Sequence, residues 1–206
     1  MKKNLVIIGA SGHGKVIADI AMKMKKWESI FFLDDVKTGS SVLGLSVIGN
    51  ISSASLYIDD SEFIIAIGNN LTRKLLQMKL ESEGAKFAVL IHPAAILGTD
   101  VSICSGSVIM AGVVINSSTT VGKGCIINTA CSLDHDNVIE DFVHISPGTH
   151  LAGTVKVCEE TWIGIGSTIS NNVTVCGGCI VGAGSVIIRD ISEPGTYIGV
   201  PARRLY

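Results

Sequence analysis

From residue 97 to residue 187 an aliphatic side chain recurs at every sixth position. The run is Leu97, Ile103, Ile109, Ile115, Val121, Ile127, Leu133, Ile139, Ile145, Leu151, Val157, Ile163, Ile169, Val175, Val181 and Ile187, and only Leu, Ile and Val occupy it. A helix repeats its face about every 3.6 residues and a strand every second residue, so neither alone selects every sixth position. A fixed short period marks a solenoid, here a parallel β-helix wound from hexapeptide turns. The rest of each hexad agrees. Four residues after the aliphatic stands Val, Ser, Thr or Cys, except at Asn137 and Ile191. Three residues after it come Gly106, Gly112, Gly124, Gly148, Gly166, Gly178 and Gly184, with Asn172 in the same place. Gly and Asn tolerate positive φ, which predicts a sharp outward corner in each hexad. Aliphatic inside, small inside and corner outside describe one side of a triangular prism. Three sides complete a coil, so residues eighteen apart stack at about 4.8 Å. The run is long enough for roughly five coils.

Residues 1–90 follow a different pattern. Short apolar runs at 5–8, 30–33, 63–67 and 87–90 read as strands. Helical runs cover 15–26 and 72–83, the second closed by Gly84. Strands alternating with helices predict an α/β unit with a parallel sheet. The expected organisation is an α/β domain over 1–90, a β-helix over 91–192 and a C-terminal extension over 193–206 around Pro201. Ligands of open α/β sheets bind at the carboxyl ends of the strands. Three segments converge there: the loop Gly9, Ala10, Ser11, Gly12, His13, Gly14; the pair Asp34 and Asp35; and Gly68, Asn69, Asn70. Backbone N–H groups opening the first helix suit a diphosphate, and the acidic pair suits a ribose hydroxyl or a base N–H. A dinucleotide fingerprint would place Gly at position 11, where Ser11 stands. With so small a domain, that points to a nucleotide bound without redox use rather than to a dehydrogenase. A purely structural role in tight turns also suits these glycines.

Composition narrows the classes. A net charge of −2 and an aromatic content of 5% argue against nucleic acid and anionic membrane as partners. No apolar stretch free of polar residues reaches membrane-spanning length. The start of the chain reads as a strand rather than a signal peptide, and the six cysteines are scattered through the repeats rather than framed as a disulfide scaffold. Reduced thiols and a cytoplasmic setting are expected. Cys176 and Cys179 have the spacing of a metal or redox pair. The repeat, however, sends Cys176 outward and Cys179 inward, which predicts neither a shared metal nor a disulfide. No metal site is expected.

His135 is the leading candidate for chemistry. It stands at an outward corner two residues after Leu133, flanked by Asp134 and Asp136, with Gly153 one coil above leaving room for a ligand beside the ring. A histidine that takes a proton near neutral pH needs a carboxylate to fix its tautomer and a pKa at or above its usual value. Either Asp136 or Asp134 could serve. His144 faces outward half a coil away, on a different side of the prism. The two histidines can share a site only if another subunit supplies one of them, which favours a trimer. Trp162 stacks one coil above His144, and packing and ligand roles suit it equally. His92 reads as structural and His150 as a surface residue.

Taken together, the loop Gly9–Gly14, Phe32-Leu33-Asp34-Asp35, Ile65-Ala66-Ile67-Gly68-Asn69-Asn70, Leu90-Ile91-His92, Asn128, Asp134-His135-Asp136, His144 and Ile198-Gly199-Val200-Pro201-Ala202 give the whole chain a clear likeness. It resembles the bacterial nucleotide-sugar acetyltransferases that join a Rossmann-like domain to a left-handed β-helix, a group including sialic-acid O-acetyltransferases and amino-sugar N-acetyltransferases. The likeness is strongest to the branch that acts on UDP-4-amino-4,6-dideoxy-N-acetylglucosamine in bacillosamine biosynthesis. The left hand of the helix is taken from this resemblance, since parallel crossovers are generally right-handed. The resemblance implies acetyl-CoA as donor, no metal, a homotrimer with the active site between subunits, and direct attack of a sugar C4 amine with His135 as general base. O-acetylation of sialic acid or a related sugar hydroxyl is the alternative. It further implies that Asn128 supports His135, that His144, Gly153 and the backbone near Ile165 and Ala183 contact CoA, and that Gly9, Ser11, Gly12, His13, Asp34, Asp35, Gly68 and Asn69 hold the UDP-sugar. The family pattern has Glu beside the catalytic histidine; both neighbours here are Asp.

Overall fold

The computed structural model describes residues 3–205. The chain divides into two compact units, Met1–Pro93 and Ala94–Tyr206. The division falls a little beyond residue 90, and the expected C-terminal extension belongs to the second unit.

The first unit is an α/β sheet. Its elements are β1 (Asn4–Ile8), α1 (Gly12–Met24), β2 (Ser29–Leu33), β3 (Ser41–Val42), β4 (Leu45–Gly49), a 3-10 helix over Ile51–Tyr57, β5 (Ser61–Ile65), α2 (Asn70–Ser82) and β6 (Lys86–Phe87). The sheet order is β3-β4-β2-β1-β5-β6, parallel except for the β3–β4 hairpin. In the central strand Leu5 to Ile8 are fully buried, as a strand covered on both faces requires. Helix α1 begins at Gly12 rather than near residue 15, so Gly12 and His13 form its first turn. Helix α2 begins at Asn70, and the Asn69 side chain caps it by accepting from the Thr72 N–H at 2.9 Å.

The second unit is the left-handed β-helix. Two-residue strands pair in parallel with the strand one coil on, as in Val108–Ile109 with Ile126–Ile127 and His144–Ile145 with Trp162–Ile163. They form three sheets, one for each face of the prism. The hexad aliphatics from Ile109 to Ile187 are all buried. Leu97 and Ile103 are not, because the first coil has another coil on one side only. Every expected glycine corner and Asn172 has positive φ, and so do Asp100, Ser118, Ala130, Asp136, Phe142, Thr154 and Glu160. The corner conformation belongs to the coil geometry; glycine only makes it cheaper.

The small inward residues carry a second repeat. Their side chains donate to the corner carbonyl fifteen residues on: Ser107 to Gly122, Thr119 to Asp134, Thr149 to Gly164, Thr161 to Cys176 and Ser167 to Gly182. Cys125 and Cys131 do the same, to Glu140 and Ser146, each at 3.0 Å. Cys179 departs from the rule. Its sulfur lies 3.4 Å from that of Cys176, although the repeat register sends the two outward and inward. Both are free thiols, Cys176 partly exposed and Cys179 buried as the register places them, but their sulfurs are close enough to touch. Beyond residue 187, Thr196–Ile198 continues a parallel sheet against Ile180–Val181, and Arg203–Arg204 folds back antiparallel on it.

Candidate active site

His135 occupies a corner between two faces of the coil. Its ring Nδ1 lies 2.7 Å from Asp136 Oδ2. A carboxylate can only accept, so Nδ1 carries the proton and the Nε2 lone pair is available to a substrate. The hydrogen bond to Asp136 holds the imidazole pKa above its ordinary value; desolvation opposes this, and the charges of Asp134 and Asp136 add to it. Asp136 is itself a left-handed corner residue (φ 58°). Asp134 does other work: its Oδ1 accepts from Asn116 Nδ2 at 2.8 Å and from the His135 N–H at 2.9 Å. These bonds, the Asn116 amide first, keep the Asp134 carboxyl below its usual pKa. Of the two neighbours, Asp136 is the one that orients the ring.

The corner is pinned from inside. The Asp134 carbonyl accepts from Thr119 Oγ1 at 2.8 Å and from Asn137 Nδ2 at 2.6 Å, while Asn137 Oδ1 accepts from the Val155 N–H at 2.8 Å. Asn137 is fully buried. Where Ser or Thr would reach one coil up, it turns back onto its own corner. Gly153 lies against the ring: a Cβ there would be 2.5 Å from His135 Cε1. The space expected for a ligand beside the ring is occupied by the ring itself.

His144 is on another face. It is buried, stacks on Trp162 with ring centroids 5.3 Å apart and planes 11° from parallel, and is bonded by Asn128. Asn128 Oδ1 accepts from the Thr129 N–H, so its Nδ2 faces His144 Nε2 at 3.1 Å and leaves the His144 proton on Nδ1. Asn128 therefore belongs to His144 within one chain, and the structure does not bring it to His135. The Trp162 indole donates to Ser146 Oγ at 2.7 Å. A groove of about 390 Å³ opens here, lined by His144, Trp162, Ile165, Ile180 and Ala183 among others. Three of the four residues expected at CoA meet in it; Gly153 is elsewhere.

In the α/β unit, Ala10 is the node of the Gly-rich loop. Its N–H donates to Asp34 Oδ2 at 2.7 Å, and its carbonyl accepts from Lys37 Nζ at 2.8 Å. Asp34 Oδ1 accepts from the Val36 and Lys37 N–H groups. Burial would raise the Asp34 pKa, but these three backbone donors and the Lys37 charge outweigh it and lower it. Asp34 thus shapes the loops and has little left for a ligand. Asp35 Oδ1 caps Ile51, and its exposed carboxylate keeps a second oxygen. Gly14 is held by packing, since a Cβ would meet Gly9 O at 2.2 Å. Gly12 and Gly68 have open space where a Cβ would stand and no positive φ. Neither turn geometry nor packing accounts for glycine there, whereas close approach of a ligand would. His13 Nε2 is buried without a hydrogen-bond partner among the described residues. Burial, then the Arg73 charge, pulls the His13 pKa down to about 4. Buried Arg73 donates to the carbonyls of Ile67 and Gly68 and to Asn70 Oδ1, bracing the third loop.

A family model described as the PglD N-terminal domain matches residues 4–80. Over 112 residues the chain is 39% identical to the UDP-N-acetylbacillosamine N-acetyltransferase of Bacillus subtilis (strain 168), a match that spans 53% of this chain and 52%, about half, of that relative's length. The acetyltransferase domain of PglB from Neisseria gonorrhoeae FA1090, solved in complex with acetyl coenzyme A, is 40% identical over the full length of both chains, with a TM-score of 0.96. PerB from Caulobacter crescentus, solved with CoA and GDP-perosamine, is 33% identical over 98% of this chain and 97% of that one, with a TM-score of 0.93. The chain belongs to the nucleotide-sugar acetyltransferases. For a member of this family, the residues that motif reading passed over are those that hold others in place. Asn116 and Thr119 precede the His135 corner by a coil, and only the hexad register could have connected them to it. Asn137 was visible as a polar break in an otherwise small inward column. Lys37 and Arg73 carry no such signal, since each looks like a solvated charge in a loop or helix.

Proposed function

We propose that this chain transfers the acetyl group of acetyl-CoA to the amine of a nucleotide-linked amino sugar, with the C4 amine of a UDP-4-amino-4,6-dideoxy sugar as its acceptor. The observation that carries the reading is the His135–Asp136 pair at 2.7 Å on an exposed corner, with Nε2 directed away from its partner. The amine nitrogen attacks the thioester carbonyl carbon, and Nε2 takes the amine proton as the C–N bond forms. Collapse of the tetrahedral adduct expels the CoA sulfur, which receives that proton. No acyl-enzyme is required, because an amine held near a thioester is nucleophile enough. The groove at His144 and Trp162 suits the pantetheine arm and adenine of the donor. The Gly12 and Gly68 openings, His13 and Asp35 suit the nucleotide-sugar. His135 and the groove lie on different faces of one chain, so a homotrimer, in which one copy's His135 meets the next copy's groove, is the working assembly. The uridine nucleotide is taken from the Bacillus relative, named for a UDP-linked sugar and 39% identical over 112 residues. The reaction belongs in the cytoplasm, where acetyl-CoA is made. Among the described residues no helix is long and apolar enough to cross a membrane.

The test is incubation with acetyl-CoA and, separately, a UDP-4-amino-4,6-dideoxy sugar, GDP-perosamine and a sialic acid, with products read by mass. Acetylation of the UDP-amino sugar is expected to be fastest. Transfer to the sialic-acid hydroxyl with none to either amine would overturn the proposal in favour of O-acetylation.

A further inference from the structure

We propose that Cys176 and Cys179 form a reversible disulfide-forming site, oxidised by peroxide, at the end of the coil where the acetyl-donor groove lies. Three buried cysteines occupy the same inward position of the hexad. Cys125 and Cys131 direct their thiols at corner carbonyls at 3.0 Å, replacing the hydroxyls found in other coils. Cys179 has no such carbonyl at that distance, because the regular repeat stops above it; the nearest is Glu193 O at 3.7 Å. Its thiol faces Cys176 instead, at 3.4 Å. The intervening residues are Gly177 and Gly178, the latter at φ 69°, so the corner can adjust as the sulfurs close to about 2.05 Å.

The two thiols are not equivalent. Cys176 is half-buried and Cys179 fully buried. Burial, then the contact with Cys176, raises the Cys179 thiol to about 12. Peroxide therefore reaches Cys176 first, oxidising it to a sulfenic acid and releasing water. The Cys179 sulfur then displaces the sulfenic hydroxyl, which leaves as water with the Cys179 proton. Two thiols lose two hydrogens, and one peroxide becomes two waters. Cys158 stands one coil below Cys176 in the same register, but the sulfur in contact with Cys176 is that of Cys179.

The site adjoins the groove. The Cys179 carbonyl accepts from the Trp162 N–H at 2.8 Å, and the next residue, Ile180, lines the groove with Trp162. Closing the disulfide pulls on that strand and weakens CoA binding severalfold. This coupling rests on the groove being the acetyl-donor site.

The experiment treats the native protein with hydrogen peroxide, blocks remaining thiols, digests it and maps bridged peptides by mass. A thiol-reversible Cys176–Cys179 bridge is expected. It should be lost in Cys176→Ser and in Cys179→Ser, and kept in Cys158→Ser. Serine already serves the inward position at Ser107 and Ser167, so the second variant is compatible with the fold. A Cys158–Cys176 bridge, or over-oxidised Cys176 with no bridge, would overturn the site. CoA titration follows on reduced and bridged protein. Equal affinities would overturn the coupling and leave the donor reading standing, whereas no binding to either form would remove both.

Discussion

The coil and the α/β unit each carry a histidine among the candidate site residues, and the two are tuned in opposite directions. His135 stands in solvent beside a carboxylate that favours its charged form. His13 is closed in near a guanidinium, and burial and that charge favour its neutral form. A base that gains and loses a proton in each turnover needs the first environment. A group that only makes a hydrogen bond to an anionic nucleotide needs a fixed protonation state, and the second environment supplies it. The supports differ as well. The coil places His135 by a register repeated many times over, while around His13 single side chains hold the loops, Asp34 and Lys37 tying the Gly-rich loop to the segment after β2 and Arg73 bracing the third.

Replacing His135 by Ala should sharpen this contrast most. Loss of a general base typically lowers kcat by about 10²–10⁴-fold, and the exposed position predicts an unchanged melting temperature. His13→Ala should instead raise KM for the nucleotide-sugar with a smaller change in kcat. Equal kcat losses in the two variants would erase the distinction. Next in size is Asp136→Asn, which keeps the left-handed corner because Asn tolerates positive φ. The base must be neutral to act, and Asp136 raises its pKa. The acid limb of the kcat/KM profile should therefore move to lower pH in this variant, with a reduced plateau. An unmoved limb would mean that Asp136 does not set the base. Gly12→Ala should raise KM for the nucleotide-sugar without loss of stability, whereas Gly14→Ala should destabilise the fold through its 2.2 Å clash with Gly9 O. Calorimetry and initial rates on the pair would show whether Gly12 is reserved for ligand. Trp162→Ala should weaken CoA binding by a stacking contribution of about 1 kcal/mol, near fivefold, measured by titration. The smallest effect concerns acid stability. His13 has a folded pKa of about 4 against 6.5 for the free side chain. Below pH 6.5 the unfolded chain takes up a proton that the folded chain refuses, so stability falls as pH drops from 6.5 towards 4. His13→Gln should flatten that part of the stability curve.

The coil was legible because its signal is periodic: each aliphatic, each inward small residue and each glycine corner reports the same geometry. The non-glycine corners were not, since Asp136 or Phe142 adopts positive φ only because the strands on either side demand it. In the α/β unit the strands and helices could be read from composition. The β3–β4 hairpin could not, because Ser41–Val42 is too short to carry a pattern and its turn rests on Leu43 at φ 54° and Gly44 at φ 77°. At the candidate site, residues able to do chemistry could be picked out by type, as His135 with its flanking carboxylates was. Their supports could not, because Asn116 and Asn137 act through hydrogen bonds to groups a coil away, and Arg73 reads as an ordinary helix charge although it braces the Ile67 and Gly68 carbonyls just before its own helix. Cys176 and Cys179 show the limit of register arguments. Inward and outward describe where a Cα–Cβ bond points in a complete coil, and the last coil is not complete.

The antiparallel return of Arg203–Arg204 also bears on solubility. A stack of identical parallel rungs ends in a row of open N–H and C=O groups, a template on which another molecule's rungs could continue indefinitely. Thr196–Ile198 would present such a row beyond Ile180–Val181. The reversed strand occupies it with the wrong polarity for continued stacking and lays two exposed cations across it. On that one face of the coil, continued stacking is thus blocked by the direction of two residues.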